Sequence, residues 1–405
     1  MTLDVAAVRS HFPALKEGAA HFDSPGGTQT PAAVAEAVHG TLVAAIANRG
    51  SVTAAEQRAD AVVVAARRAI GDLLATDPGG VIFGRSMTGL TFELSRALSK
   101  EWSAVDEVVV SRLDHDANVR PWVIAAESVG ATVRWIDFDP ATGELTPEDV
   151  RAQLSERTRL VALTGASNLI GTRPDLATIA DAVHAVGALL YVDGVHLTAH
   201  ASIDVAQISA DLFACSPYKF FGPHCGVVAG RVDVLERLRP DKLLPSSDSV
   251  PERFELGTLP YELLAGTTAA IDFIADLSGT AGDRRSRLLK ASALVGAHED
   301  RLRARIERAV GDIAGITLHS RAQHRTPTLL MTFDHHTGNE AYEFLGSRGV
   351  NAPAGSFYAY EPARRLGLGS AGGLRVGLAP YNDDADVDRL LEALTDLVSS
   401  RPSGP

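Results

Sequence analysis

Between residues 81 and 215 the chain alternates short, wholly apolar runs with longer segments whose apolar positions recur at helical spacing. The short runs Val81-Ile-Phe, Val108-Val-Val-Ser, Thr132 to Asp137, Leu160-Val-Ala-Leu, Leu189-Leu-Tyr-Val-Asp and Asp211-Leu-Phe-Ala-Cys read as strands. Arg120 to Val129, Pro147 to Leu154 and Leu176 to Val186 read as the helices between them. Strands that are apolar throughout are buried on both faces, so this alternation predicts an α/β fold with a largely parallel sheet. Before it stand a helix around Val5 to Phe12, a glycine-rich loop over His21 to Pro31, and helical spacing over Ala54 to Ala75. Thr30 is expected to cap a helix whose first residue is Pro31. After Gly257-Thr258, helical spacing over Arg285 to Val310, strands at Leu329 to Phe333 and Gly373 to Leu378, and a last helix at Ala385 to Val398 predict a smaller α+β unit. The expected division is an N-terminal segment 1–20 packing with the small domain, a large domain 21–265 and a small domain 266–405.

In open α/β sheets ligands bind beyond the carboxyl ends of the strands. The polar clusters Ser86-Met-Thr, His115, Asn168, Asp193 and Lys219 all fall there. Asp193 ends a strand in which a charge is costly unless it meets a partner, and a protonated pyridine nitrogen is such a partner. Lys219 follows the next apolar run, among aromatics and glycines. An ammonium there loses proton affinity and becomes an amine able to form a Schiff base with an aldehyde. Together the two read as the ends of a pyridoxal 5'-phosphate site.

A length of 405 residues exceeds one ordinary core and suits one large and one smaller domain. The formal charge of −12 argues against nucleic acid and anionic membranes as partners, since both require a positive surface. No apolar stretch approaches membrane-spanning length and no signal-like segment opens the chain, so a cytoplasmic location is expected. The two cysteines, Cys215 and Cys225, flank the lysine and form neither a disulfide framework nor a zinc pattern. His196 and His200 stand at i, i+4 without the glutamate a zincin needs, and no G-x-G-x-x-G follows the first strand.

Several motifs in order, Asp114-His115-Asp-Ala-Asn-Val-Arg-Pro-Trp, Thr164-Gly-Ala-Ser-Asn168, Val192-Asp-Gly-Val-His196, Ser216-Pro-Tyr-Lys219-Phe-Phe-Gly-Pro and Leu374-Arg375-Val-Gly-Leu-Ala-Pro-Tyr-Asn-Asp, resemble the class V aminotransferase and cysteine desulfurase-like family of fold type I pyridoxal phosphate enzymes. The resemblance implies a large domain with a mainly parallel, seven-stranded type of sheet and a smaller C-terminal α+β domain. It makes Lys219 the Schiff-base lysine and general base, Asp193 the partner of the pyridine nitrogen, and His115 a catalytic residue stacked on the ring that assists proton movement. Asn168 and His196 would face the phenolic oxygen, with His196 in place of the glutamine common in desulfurases. Ser86, Met87 and Ser216 would supply phosphate donors, and Thr258 would reach the phosphate of a neighbouring protomer, which implies a homodimer with the site at the subunit interface. Arg375 would grip the α-carboxylate of an amino-acid substrate, helped by Asn168.

A desulfurase needs a mobile cysteine in the small domain between about Arg348 and Arg375, and this chain has none there. The expected activity is therefore carbon–sulfur β-elimination from a cysteine conjugate, with Tyr218 as an acid near the leaving group. Decarboxylating deamination, transamination, epimerisation and a non-catalytic regulatory role are the alternatives. Phe357, Tyr358 and Tyr360 either line the substrate pocket or pack the small domain.

Overall fold

The computed structural model describes residues 2–400. Its centre is a seven-stranded sheet in the order Val81–Gly84, Gly226–Gly230, Leu212–Cys215, Leu189–Asp193, Thr158–Thr164, Glu107–Ser111, Thr132–Ile136. Six strands run in one direction; Gly226–Gly230 is antiparallel to both of its neighbours. Side chains alternate between two cores, as the period of a pleated strand requires. Val109, Val161 and Leu163 join the core under helices Ala54–Leu74 and Leu176–Ala185. Val108, Val110, Leu160 and Ala162 join the opposite core with Trp122 and helices Met87–Ser99 and Arg120–Ser128.

A second, antiparallel sheet of four strands runs Ala354–Gly355, Gly373–Gly377, Thr328–Phe333, Ile316–Leu318. Leu302 and Ile306 of helix Arg284–Gly311 and Leu390 and Leu394 of helix Asp384–Ser399 cover it. The N-terminal segment reaches this region: Ala20–His21 pairs in parallel with Val350–Asn351.

Two local expectations change. Pro31 itself is the N-cap, at an extended ψ of 148°, and the helix is Ala32–Val43, because no hydroxyl of Thr30 reaches the first-turn amides. A helix absent from the sequence pattern, Tyr261–Asp276, runs across position 265. It packs against Ala32–Val43, Ala54–Leu74 and Arg284–Gly311 at once, so its apolar residues lie all round instead of in one stripe.

Candidate active site

At the carboxyl ends of the parallel strands lies a cavity of about 320 Å³. Of the residues nominated from sequence, all but Thr258 and Tyr360 line it. Thr258 lies instead on an exposed turn with Leu256 and Gly257.

Asp193 ends its strand and is 4% exposed. Its Oδ1 accepts from the Val195 amide at 2.9 Å, leaving the other oxygen without a bonded partner among the described residues. The next residue has to be glycine, since a Cβ at Gly194 would stand 2.0 Å from the Phe213 ring. Burial pushes the Asp193 carboxyl up to about 6, against the opposing pull of its Val195 hydrogen bond and of Lys219. Lys219 closes the single turn Pro217–Lys219, and its Nζ donates to the Pro25 carbonyl of the glycine-rich loop. Burial, with the charge of Arg375, lowers the Lys219 ammonium to about 7, so at neutral pH a large fraction is free amine. Tyr218 lies beside it with the ring centre 4.9 Å from Nζ, stacked on His224.

His115 caps the turn Asp116–Asn118, its Nδ1 accepting from the Ala117 amide at 3.0 Å. Burial and the nearby Lys219 hold it down to about 4, which leaves a neutral ring with its proton on Nε2. His196 is buried, and burial lowers its proton affinity well below that of an ordinary imidazole. Its Nε2 lies 2.9 Å from the hydroxyls of both Thr326 and Thr328, on the small sheet's side of the cavity. His200 pairs instead with Glu299 at 3.0 Å.

Arg375 is 2% exposed and has no carboxylate within ion-pair distance among the described residues. Nη1 donates to the Asn168 carbonyl at 3.0 Å, the guanidinium lies 3.6 Å over the Phe357 ring, and Nε has no partner. Burial pulls this guanidinium down to about 9 despite Asp23 nearby. A buried cation without a counter-ion marks the place of an anion. Asn168 is tied down as well, its Nδ2 donating to the Phe357 carbonyl at 3.0 Å while Oδ1 is left without a partner.

On the opposite wall, Ser86 caps the 13-residue helix Met87–Ser99 through its hydroxyl and the Gly89 amide. The amides of Met87 and Thr88 have no acceptor among the described residues, so the helix end presents free donors to an anion. The strand beside it approaches this turn closely: a Cβ at Gly226 would lie 2.1 Å from the Ser86 carbonyl carbon. Ser216 is buried on the same wall as Lys219.

Sequence reasoning missed three contributors. Pro25 and Gly26 form part of the wall, although a glycine-rich loop signals only a turn. Asp114, behind the cavity, reads in sequence as an ordinary loop acid. Thr326 and Thr328 are far away in the chain, where no local signal points to His196. The aromatic pair Phe357 and Tyr358 does line the cavity, and both residues have left-handed backbone, φ 54° and 56°. That conformation costs about 1–3 kcal/mol per non-glycine residue. Large-domain groups hold the segment there: Asn168 bonds the Phe357 carbonyl, and the Asp116 amide bonds the Tyr358 carbonyl at 2.8 Å. Neither cysteine lines the cavity; both are buried, Cys225 with its thiol raised by burial to about 11 and Cys215 raised further.

An amine, a buried carboxylate with one free oxygen, a neutral imidazole and a helix N-terminus with free amides around one cavity fit pyridoxal 5'-phosphate. Comparison with known proteins agrees. Residues 20–390 match the family described as Aminotransferase class-V. Uncharacterized protein MT3887 of Mycobacterium tuberculosis is 33% identical over 400 residues, covering 98% of this chain and 100% of its own. Aminotransferase-like protein FGM3 of Gibberella zeae is 29% identical over 97% of this chain and 98% of its own. Cysteine desulfurase CsdA of Escherichia coli is 30% identical over 96% of each chain, and its crystal structure, in an S-sulfonic acid form, superposes with a TM-score of 0.86 over 98% of this chain and 99% of that one. The chain belongs to the class V aminotransferase family, the fold type I enzymes that work with pyridoxal 5'-phosphate.

Proposed function

We propose that this enzyme cleaves the carbon–sulfur bond of a cysteine conjugate by β-elimination, and that it does not pass sulfur to a thiol of its own. The observation that carries this reading is the absence of a cysteine from the cavity and from the segment 352–359 beside it, both cysteines being buried elsewhere.

Arg375 binds the α-carboxylate, since a guanidinium fork matches that group and its Nε is unpaired. Pyridoxal phosphate, when bound, supplies an electron sink for negative charge at the amino acid's Cα. Asp193 keeps the ring nitrogen protonated, and the amides of Met87 and Thr88, with Ser86 and Ser216, hold the phosphate. Lys219, partly unprotonated near pH 7, takes the proton from Cα. The Cβ–S bond breaks, and the thiolate leaves with a proton from Tyr218, whose hydroxyl burial keeps protonated. After hydrolysis by water the products are pyruvate, ammonia and a free thiol. His115 and His196 remain neutral and shape the site without acting as acids.

A groove of about 790 Å³ opens from the cavity and shares Gly26, Tyr218, Phe357 and Arg375 with it. Val34, Val38 and Leu42 form one wall at helical spacing. In this reading the groove takes the sulfur substituent. Ala35→Trp, at an exposed position on that wall, is expected to raise KM about tenfold for S-benzylcysteine and leave S-methylcysteine within about twofold. Equal losses for both substrates would refute the placement.

The decisive assay incubates the holoenzyme with S-alkyl cysteines and follows pyruvate, thiol, carbon dioxide and keto acid. Stoichiometric pyruvate and thiol support the proposal. Carbon dioxide, or amino transfer to an added keto acid, replaces it with decarboxylating deamination or transamination; sulfide released from free cysteine with a protein-bound persulfide restores desulfuration. The proposal extends to a homodimer, supported by the exposed turn Leu256-Gly257-Thr258, with Thr258 reaching the partner's phosphate site. Sedimentation of a cofactor-loaded monomer would remove that part.

A further inference from the structure

Directly behind the cavity, three elements bring a second carboxyl group close to Asp193. Asp114 is fully buried between the end of strand Glu107–Ser111 and the turn that carries His115. One carboxyl oxygen accepts from the Ser111 hydroxyl and the other from Asn118 Nδ2 at 2.7 Å. Asn118 Oδ1 in turn accepts from the indole of Trp122 at 3.0 Å, and the Asn118 amide bonds the His115 carbonyl at 2.9 Å. Ser111, Asp114, Asn118 and Trp122 are all buried, and no cation is bonded to Asp114 among the described residues. The titratable group facing it is Asp193, on the strand paired with Thr158–Thr164.

We propose that Asp114 is a positioning residue for the cofactor site, bracing the turn that presents His115 and setting the charge that Asp193 carries. The proposal rests on the reading of Asp193 as the partner of the ring nitrogen. Two carboxyl groups buried near one another do not both ionise readily, and they titrate as a pair. Burial, opposed by the Ser111 and Asn118 hydrogen bonds and reinforced by Asp193, raises Asp114 to about 8, while Asp193 stays near 6. At neutral pH the negative charge therefore sits on the carboxylate that lines the cavity, and the one behind it stays a neutral acid. As pH rises through about 8, a second negative charge appears behind Asp193.

The test compares wild type with Asp114→Asn, Asp114→Ala and Asp193→Asn as holoproteins. It reads the visible absorbance of the bound cofactor from pH 6 to 10 and the cofactor Kd by equilibrium dialysis. Asp114→Asn keeps the shape and can still accept from Asn118 Nδ2, presents an amide nitrogen instead of an acceptor to Ser111, and has no proton to lose. It is expected to hold the cofactor within about threefold of wild type and to lose the spectral change centred near pH 8. Asp114→Ala leaves Asn118 without its acceptor and is expected to raise the cofactor Kd about tenfold. An Asp114→Asn spectrum that titrates like wild type, beside an altered Asp193→Asn spectrum, overturns the proposal alone. An unaltered Asp193→Asn spectrum overturns the reading of Asp193 and this proposal with it. Should Asp114→Ala fail to fold, Asp114→Asn decides.

Discussion

Lys219→Ala is expected to abolish the visible absorbance band of the lysine-bound cofactor and to lower kcat by about three orders of magnitude, the usual scale for loss of a positioned general base. Two features of the site make the effect specific. The amine is partly unprotonated at neutral pH because burial and Arg375 hold it down, and it stands beside the Asp193 strand end where the reacting atoms must lie. Small primary amines added to the variant should restore part of the rate, since they replace the base without replacing its tether. The same residue gives a readout that needs no substrate. The folded-state value of about 7 lies below the ordinary 10.5, so between those values the unfolded chain binds more protons than the folded one. The stability of the cofactor-free protein should therefore rise as pH increases from about 7 towards 10. Lys219→Ala should flatten that rise, and urea titrations at several pH values measure it. An alanine variant that keeps both the absorbance band and the rate would remove Lys219 from the mechanism.

Arg375→Met should separate function from stability in opposite directions. The guanidinium is buried, has no carboxylate partner and leaves Nε without an acceptor, so its charge is an uncompensated load on the folded state. Methionine keeps an unbranched apolar chain against Phe357 and removes the charge. The cofactor-free variant is expected to melt at least about 2 °C higher than wild type. Affinity for any α-amino acid should fall roughly 100-fold, or about 3 kcal/mol, because the carboxylate loses a bidentate partner in a dry site. Arg375→Lys retains the charge without the fork and should fall between the two in affinity while gaining no stability. Thermal melts and titrations of the cofactor spectrum with amino acids give both numbers. A methionine variant that binds amino acids as tightly as wild type would show that the anion bound there is not the substrate's.

Much of this was legible in the sequence, for a physical reason. A strand buried on both faces has to be apolar to its end, so Asp193 and Lys219 stand out as the first charged groups beyond the runs Leu189 to Val192 and Leu212 to Cys215. The same rule exposed six of the sheet's seven strands, all but Gly226–Gly230. What escaped is set by contacts distant in the chain. Helix Tyr261–Asp276 has no clear stripe because three helices surround it. Thr326 and Thr328 meet His196 only through the fold, from positions 130 and 132 residues away. The left-handed pair Phe357 and Tyr358 carries no turn signal, because aromatics rarely adopt that conformation and do so here under bonds from Asn168 and Asp116. Asp114 differs from a surface loop acid only in what surrounds it.

The parallel pairing of Ala20–His21 with Val350–Asn351 also sets an order of events during synthesis. Ala20 and His21 wait for partners synthesised about 330 residues later, an interval of roughly 15–70 s at the usual elongation rates. Pro25 and Gly26, a few residues beyond that strand, form the wall against Lys219. On the ribosome, then, the sheet that carries Asp193 and Lys219 can assemble long before the wall opposite them is pinned. The nascent chain should capture its cofactor late, after most of its sequence has emerged.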